Sequence, residues 1–236
     1  GDPGMQFDTT INDWHTCPNT GRINASNPCS EYMSLDDSAC NLASINVLKF
    51  LDDEGNFLVE PFKHVVRVMI IAQDIVVDNS SYPTAKIARN ARDYRELGLG
   101  YANLGSLLMS LGIAYDSEEG RAWAAAITAL MCGHAYEVSG EIASELGPYA
   151  GFAKNRDPQL RVQRKHRAKV EEINHRLVPE PLLQAARRAW DASIQLGEQA
   201  GIRNSQVTVI APTGCLVGGS LVATDRGLMR LRRLGN

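Results

Sequence analysis

The fold class is decided by the stretch Ser205-Gln206-Val207-Thr208-Val209-Ile210-Ala211-Pro212. Branched apolar residues alternate along it, and Pro212 blocks its continuation, a pattern that predicts a strand over 205–211 leading into a loop. The stretch follows a long segment, 58–204, in which apolar residues recur at helical spacing. A strand that returns after a series of helices predicts an α/β architecture.

Five helices are predicted upstream of this strand. The first carries the apolar residues Phe62, Val65, Val66, Met69, Ala72 and Val76, and it ends at the polar cluster 78–81, before Pro83. The other four are predicted at 99–111, 118–146, 156–175 and 182–200, with glycines following three of them. The 156–175 stretch is strongly basic and has a weaker apolar face than the others.

The first 46 residues have a different character from the helical segment. They are rich in Asn, Thr, Pro, Ser and Asp, and they hold three of the five cysteines. This composition predicts loops and short strands, which are the usual carriers of function. One short buried strand is expected over 39–47.

Composition narrows the possible partners. The chain has 236 residues, 44% of them hydrophobic, and a net charge of −3, so it can bury a core but has no global basic field. Nucleic acid and anionic membranes are therefore not favoured as partners, and no apolar run approaches the ~20 residues that span a bilayer. The N-terminus has neither a signal peptide nor a starting Met, so we expect a cytoplasmic protein whose sequence begins within a longer one.

The cysteines do not form a disulfide or zinc pattern. Their number is odd, no two have C-x-x-C spacing, and no His lies at zinc-finger distance from a pair. In a reducing compartment, such cysteines are either packed or chemically active. The five histidines are isolated in the sequence, so no metal ligand is assigned.

The first candidate site is the run Asn27-Pro28-Cys29-Ser30-Glu31. Pro28 favours extended backbone before it, and in an extended chain Asn27, Cys29 and Glu31 would face the same side. A carboxylate near a thiol raises its pKa, which favours a neutral S–H group suited to hydrogen-atom chemistry over a thiolate nucleophile. The spacing alone, however, favours a loop with one buried cysteine and two incidental polar neighbours.

The second candidate is Cys40, within the run Ser38–Asn46. A tight turn at Asp36-Asp37 would bring Cys29 and Cys40 onto neighbouring strands, where Cys40 would be a redox thiol. Without further context, a small buried residue at the start of a strand is the favoured interpretation.

Taken in order, five segments resemble ribonucleotide reductase large subunits. They are Gly1–Gly4, Asn27–Glu31, Ala39–Asn46, Gly98–Gly105 and Ala211–Gly214. The second and third are similar to the finger loop of that family, and the resemblance extends over residues 1–214. The sequences of 14–21 and 30–45 are most similar to the adenosylcobalamin-dependent class.

The resemblance implies a role for each residue of the two candidate sites. Cys29 is expected to form the thiyl radical that removes the 3′ hydrogen of the ribose. Glu31 is expected to take the 3′-hydroxyl proton, while Asn27 holds substrate hydroxyls by hydrogen bonds. Cys40 is expected to be one half of the dithiol that supplies two electrons, with a partner upstream of this sequence.

Substrate contacts are implied in two places. They are Ser26, Asn27, Pro28, Cys29, Ser30 and Glu31 in the finger loop, and Pro212, Thr213 and Gly214 after the last predicted strand. The second group is expected to form a turn whose backbone N–H groups meet a phosphate. Gly98 and Gly100 lack the third glycine of a dinucleotide fingerprint, since Asn103 stands there, and they indicate close backbone packing instead.

The resemblance also implies partners. The substrate is expected to be a ribonucleoside di- or triphosphate, the reductant a thioredoxin-type protein and the cofactor adenosylcobalamin. No cobalamin-binding His motif is assigned in this sequence. Neither Cys17 nor Cys132 matches the missing partner of Cys40.

The family pattern ends at Gly214, and a different pattern begins at Cys215. The run 215–224 is a β-like ribbon with a glycine pair, followed by a hairpin-turn signal at 225–227. It resembles the first segment of an intein, in which Cys215 is the splicing nucleophile that attacks the Gly214 carbonyl to form a thioester. The later intein segments do not occur before Asn236, so splicing is expected to need a split-intein partner or a longer chain.

These observations predict two units. Residues 1–214 are expected to form part of a ten-stranded α/β barrel with a finger loop and a long helical section, and 215–236 an N-terminal intein segment with short strands. The partial barrel cannot close, so the isolated chain is expected to lack reductase activity. Two alternatives stay open: a helical interaction module with packed cysteines, and an inactive precursor half that reacts only at Cys215.

Overall fold

The computed structural model describes residues 4–213 and two short strands further on. In chain order the elements are α1 (Asp8–Asp13), β1 (Asn41–Asn46), a 3-10 turn (Val47–Phe50), α2 (Val59–Asn79), α3 (Ala85–Tyr94), β2 (Leu97–Ala102), α4 (Leu104–Ser110), α5 (Glu118–Leu146), α6 (Phe152–Val170), α7 (Glu180–Gln199), β3 (Leu221–Thr224) and β4 (Gly227–Arg230). The mixture of helices and strands agrees with the α/β class. None of the helices in this part of the chain has the length and apolar character needed to cross a bilayer.

Three parallel chain segments lie side by side, with β2 in the middle. β1 pairs with β2 in the register Asn41↔Leu97 to Asn46↔Ala102. On the other edge of β2, Leu97 N–H donates to Gln206 O at 2.8 Å and Val209 N–H donates to Leu99 O at 3.0 Å. The extended stretch predicted over 205–211 is therefore confirmed around its centre as a parallel neighbour of β2.

The helix predicted at 99–111 is wrong in its first part. Leu97–Ala102 is a strand, and the helix begins only at Leu104. A Cβ at Gly98 would lie 2.4 Å from Leu42 Cδ2, and a Cβ at Gly100 would lie 2.7 Å from Val209 O. The two glycines let β2 approach the chain on both sides, which confirms close backbone packing and explains why strand pairing overrides the helical spacing.

The main core lies where α5 packs along α7 and against α2, a unit that we call the helical layer. One face of α5 is formed by residues at helical spacing that are all buried: Trp123, Ile127, Leu130, Met131, His134 and Val138. Gly133 lets the helices approach closely, since a Cβ there would lie 2.9 Å from the Trp190 ring. Trp190 is only 1% exposed and anchors α7 against α5.

Helix ends follow the local signals in the sequence. Ser117 caps α5 by accepting a hydrogen bond from Gly120 N–H at 2.9 Å, and Gly147 ends the helix with a φ of 82°. The predicted bounds of α5 are thereby confirmed. The basic helix predicted at 156–175 is displaced, because α6 starts at Phe152 and ends at Val170.

The apolar face predicted for α2 is partly wrong. Val76 is 42% exposed, whereas Gln73 and Asp74 are buried. Asp74 accepts hydrogen bonds from Arg95 Nε at 2.9 Å and from Asn204 Nδ2 at 2.8 Å, so its charge is compensated inside the protein. Because these partners come from distant segments, the spacing along α2 could not reveal them.

The two C-terminal strands pair with each other. β3 and β4 are antiparallel, with Leu221 opposite Arg230 and Thr224 opposite Gly227. This backbone pairing agrees with the hairpin predicted around 225–227. Gly214 and Cys215 lie outside the described residues.

Candidate functional site

The Asn27–Glu31 run lies at the tip of a small hairpin, residues 26–33, which we call the finger hairpin. Ser26 and Met33 pair as an antiparallel bridge. Ser30 N–H donates to Asn27 O at 3.0 Å, and Asn27 Oδ1 accepts from Tyr32 N–H at 3.0 Å. The expectation of an extended run is therefore wrong, because the chain turns at Pro28-Cys29 and i, i+2 alternation does not apply.

The turn leaves the Cys29 thiol exposed to solvent. Pro28 and Ser30 beside it are also exposed, and Ser30 has a φ of 64°. The Ser26 and Ser30 hydroxyls lie 3.2 Å apart across the hairpin, which ties its two arms together. A thiol presented on a turn can approach a bound molecule, whereas the buried cysteine of the simpler interpretation could not.

Glu31 points away from solvent. Its Oε2 atom is buried and has no hydrogen-bond partner among the described residues. Leaving a buried acceptor unpaired costs about 1–3 kcal/mol. Glu31 also lines two cavities of about 400 Å³ and 640 Å³, which share Glu31, Cys132, His166 and Thr208 in their walls.

Cys40 is half-buried and lies one residue before β1. Burial, followed by the nearby charges of Glu96 and Glu31, raises the pKa of its thiol to about 12, so the thiol is protonated at neutral pH. A turn forms at Asp36-Asp37 as predicted, with Asp37 at a φ of 54°. Cys29 and Cys40 are not on neighbouring strands, however, since one lies in a turn and the other precedes a strand.

The stretch at Pro212-Thr213 lies close to β1. Thr213 Oγ1 is 3.0 Å from Ser44 Oγ, and Thr213 N–H donates to Ala211 O at 2.7 Å. These contacts place the start of the predicted phosphate turn beyond the carboxyl end of the 206–209 segment, which is where ligands bind in parallel α/β sheets. Gly214, the third member of the turn, is outside the described residues.

Some residues of the cavities were not predicted. Thr208 Oγ1 donates to Cys132 Sγ at 3.2 Å, and the His166 ring stacks on Trp190 with 5.0 Å between centroids. Burial lowers the pKa of His166 to about 4, so its imidazole is neutral at physiological pH. No sequence signal pointed to them, because Glu31, Cys132 and His166 come from separate elements.

A family model that covers most of the sequence identifies the family of this chain. The family model described as "Ribonucleotide reductase, barrel domain" matches residues 1–220. The chain belongs to the ribonucleotide reductase family. The match confirms the predicted family and places the described fold within the barrel domain.

Individual relatives point to one class of reductase. The chain is 53% identical over 216 residues to a vitamin B12-dependent ribonucleotide reductase of Rhodopirellula baltica, covering 92% of this chain and 21% of the relative. The corresponding values for a protein of the same name from Streptomyces coelicolor are 52% over 222 residues, 91% and 23%. A third, from Agrobacterium fabrum, is 48% identical over 231 residues, covering 91% and 18%. The chain thus spans about a fifth of the length of these curated relatives.

No histidine of the described part of the chain is assigned as a cobalt ligand. Among residues 4–213, no group of three or more His, Cys, Asp or Glu side chains is arranged to hold a free metal ion. The buried imidazole of His15 contacts Gly21 O at 3.0 Å through Nε2, and that of His166 is stacked on Trp190. Both imidazoles are therefore engaged by groups of the protein itself.

Proposed function

We propose that this chain forms part of the catalytic barrel of a ribonucleotide reductase and carries its radical thiol, Cys29. The main support is Glu31, which lines two cavities, has a buried and unpartnered Oε2 atom, and lies two residues after the exposed Cys29. A buried acceptor without a protein partner suits a hydroxyl of a bound molecule. The family match supplies the substrate class, a ribonucleoside di- or triphosphate.

The proposed chemistry assigns each polar group of the finger hairpin one task. Cys29 as a thiyl radical takes the 3′ hydrogen atom of the ribose, and the S–H bond that forms stores that atom for return. Glu31 accepts the 3′-hydroxyl proton through its unpartnered oxygen. Asn27 Oδ1 is occupied by Tyr32 N–H, so the Asn27 amide nitrogen is the end that donates to a substrate hydroxyl.

Cys40 is proposed as one of the two thiols that reduce the substrate. The two thiols lose two electrons and two protons as they form a disulfide, and the 2′-hydroxyl leaves as water. The protonated state of Cys40 at neutral pH suits this role, because the thiol then brings its own proton. The partner thiol lies elsewhere in the full-length protein, and a thioredoxin-type protein is proposed to restore the pair in the cytoplasm.

Substrate binding is proposed at both candidate regions. The finger-hairpin residues 26–31 contact the sugar, and Pro212, Thr213 and Gly214 contact the phosphates. Pro212 has no N–H and the Thr213 N–H donates to Ala211 O, so the Thr213 hydroxyl is the group of these described residues that would donate to a phosphate. The link between Thr213 and Ser44 holds this turn at β1.

The remainder of the barrel and the cofactor are proposed from the family. The three parallel segments around β2 would be consecutive members of the ten-stranded barrel. The relatives' names support adenosylcobalamin as the cofactor, which when bound supplies the radical. No residue of the described part of this chain is assigned to its binding.

The test is a Cys29→Ser variant of the full-length reductase, assayed for deoxynucleotide formation from all four ribonucleotides. We expect complete loss of product, because a serine O–H bond is too strong to take part in the hydrogen-atom exchange. Cys17→Ala is the matched control, since Cys17 is buried and contacts the Tyr149 hydroxyl at 3.4 Å, away from the finger hairpin. Turnover by Cys29→Ser would exclude the proposal.

A second proposal concerns residues 215–236 as an N-terminal intein segment. The antiparallel pairing of β3 with β4 directly after Cys215 favours it, since the resemblance predicts a β ribbon there. Cys215 would attack the Gly214 carbonyl, so that the amide becomes a thioester. The test is to mix the chain with a candidate C-terminal intein partner: a ligated product that is lost in Cys215→Ala supports the proposal, and no ligation contradicts it.

A further inference from the structure

A buried carboxylate holds the segment that joins Cys29 to Cys40. Glu96, the residue before β2, is 4% exposed. Tyr32 Oη donates to Glu96 Oε2 at 2.6 Å, and Ser34 Oγ donates to Glu96 Oε1. The Tyr32 hydroxyl also lies 3.1 Å from Ser38 Oγ, so three hydroxyls of one loop surround a single carboxylate.

We propose that Glu96 is a positioning residue of the reductase, which fixes the segment between the radical thiol and Cys40 and controls the reactivity of Cys40. The proposal rests on the roles proposed above for these two cysteines. It assigns to Glu96 a task that involves no contact with the substrate.

The other attachments of this loop are weaker. Asn24 Nδ2 donates to Asp36 Oδ2 at 2.9 Å, and Lys86 forms an ion pair with Asp37, but both contacts are exposed. Exposed ion pairs contribute little, at most about 1 kcal/mol. Hydrogen bonds to a buried charged acceptor are stronger, so Glu96 is the strongest polar tie between the loop and the sheet, beside the apolar packing of Leu35.

The same carboxylate lies beside Cys40, because Asn41 of β1 pairs with Leu97 of β2 and the residues directly before this pair are Cys40 and Glu96. After burial, the charge of Glu96 is the largest cause of the raised pKa of Cys40, ahead of Glu31. The neighbouring Arg95 does not neutralise Glu96, because its guanidinium binds Asp74 and Asp78. Burial raises the pKa of Glu96 itself to about 7, so its full negative charge is present only in alkaline solution.

The charge of Glu96 makes its effect on the reactivity of Cys40 depend on pH. A loosened loop would change the reactivity of Cys40 equally at every pH. Glu96→Gln keeps the size of the side chain and an oxygen that accepts from the hydroxyls, but it removes the charge. We expect Cys40 to be alkylated by iodoacetamide at least about threefold faster at pH 9, because half a pKa unit changes the thiolate fraction by about threefold. At pH 6 the variant and the wild type should react at nearly the same rate.

The measurement is peptide mass spectrometry of the full-length protein after timed alkylation. Glu54→Gln is the matched control, since Glu54 is exposed, and it should leave the rate at Cys40 unchanged. An unchanged Cys40 rate in Glu96→Gln, or an increase of the same size at both pH values, would overturn the proposed electrostatic control.

Turnover separates positioning from general damage. Glu96→Ala removes the anchor and should lower kcat by about tenfold to a hundredfold with KM within about twofold, because misplaced reacting groups lose rate. Glu96→Gln should recover most of the lost kcat, and Tyr32→Phe should show an intermediate loss. Full turnover by Glu96→Ala would refute the positioning role. If the wild type forms no deoxynucleotide, the proposed function fails, while the alkylation rates still decide whether Glu96 controls Cys40.

Discussion

The finger hairpin and the helical layer use their polar groups differently. The hairpin is held by one β bridge, local turn bonds and the Glu96 anchor, and its Cys29 is exposed. The helical layer buries Leu130 and Trp190 almost completely and compensates the charge of Asp74 internally. The thiol that is proposed to react therefore lies outside the region that holds the main core.

The physical reason is that a reacting group must remain accessible. A thiol packed like Cys17 would be stable but could not meet a substrate, whereas Cys29 gains access by giving up contacts. Segments with few buried apolar contacts open at low free-energy cost. Substitutions should therefore affect stability strongly in the helical layer and weakly at the tip of the hairpin.

The largest effect is expected from Arg95→Met in the scaffold. Arg95 and Asp74 have side chains only 5% and 8% exposed, so the substitution leaves a buried carboxylate with only the more distant Arg203, at 3.5 Å, as a cationic partner. We expect a loss of about 3–5 kcal/mol in the free energy of unfolding, measured with urea. Arg22→Met removes an exposed pair with Asp8 and should cost less than about 1 kcal/mol. Equal losses of stability in Arg95→Met and Arg22→Met would contradict the expected difference between a buried and an exposed ion pair.

The second-largest expected effect is a pH dependence of stability that arises from Glu96, the residue that anchors the finger hairpin. The pKa of Glu96 is raised from 4.5 to about 7 by burial, so its protonated form is favoured by folding. The stabilisation that protonated Glu96 gives to the folded protein is fully present below pH 4.5. It is lost as the pH rises through about 7, at ~1.4 kcal/mol per pH unit. The unfolding free energy of Glu96→Gln minus that of the wild type should therefore increase between pH 5 and 8. A difference in unfolding free energy that stays constant with pH would show that the pKa of Glu96 is not raised in the folded protein.

A smaller effect is expected from overpacking the helical layer. Gly133→Ala would place a methyl group 2.9 Å from the Trp190 ring, and we expect a loss of about 1–3 kcal/mol. Gly105→Ala is the matched control in another helix, because its Cβ would meet only Tyr115 at 4.0 Å. Thermal unfolding should show a lower Tm for the first variant and an unchanged or higher Tm for the second.

The smallest effect on stability is expected at the hairpin tip. Cys29→Ser should change the free energy of unfolding by no more than about 0.5 kcal/mol, since the side chain is exposed. Leu130→Ala in the helical layer should cost about 2–5 kcal/mol by leaving a cavity. A large loss for Cys29→Ser would mean that the thiol is part of the packing and would remove the contrast between the two regions.

The sequence predicted α5 well because its signals are local. Ser117, Gly147 and the apolar face act within one helix, so the bounds and the buried side are set by neighbours in the chain. The helix predicted at 99–111 was wrong in its first part because Gly98 and Gly100 pack against Leu42 and Val209, which are remote in sequence. The extended run predicted over 27–31 was wrong for a related reason, since the hairpin closes through Ser26 and Met33.

The sequence by itself determined the family, the order of the elements around the helical layer and the candidate residues Asn27, Cys29, Glu31 and Cys40, because motifs and periodicity depend on neighbouring positions. Only the tertiary structure decided that the Glu31 carboxylate faces cavities shared with Cys132 and that Glu96 holds the loop between the two thiols. These relations depend on burial and on contacts between distant segments. Both arise only when the strands pair and the helices pack.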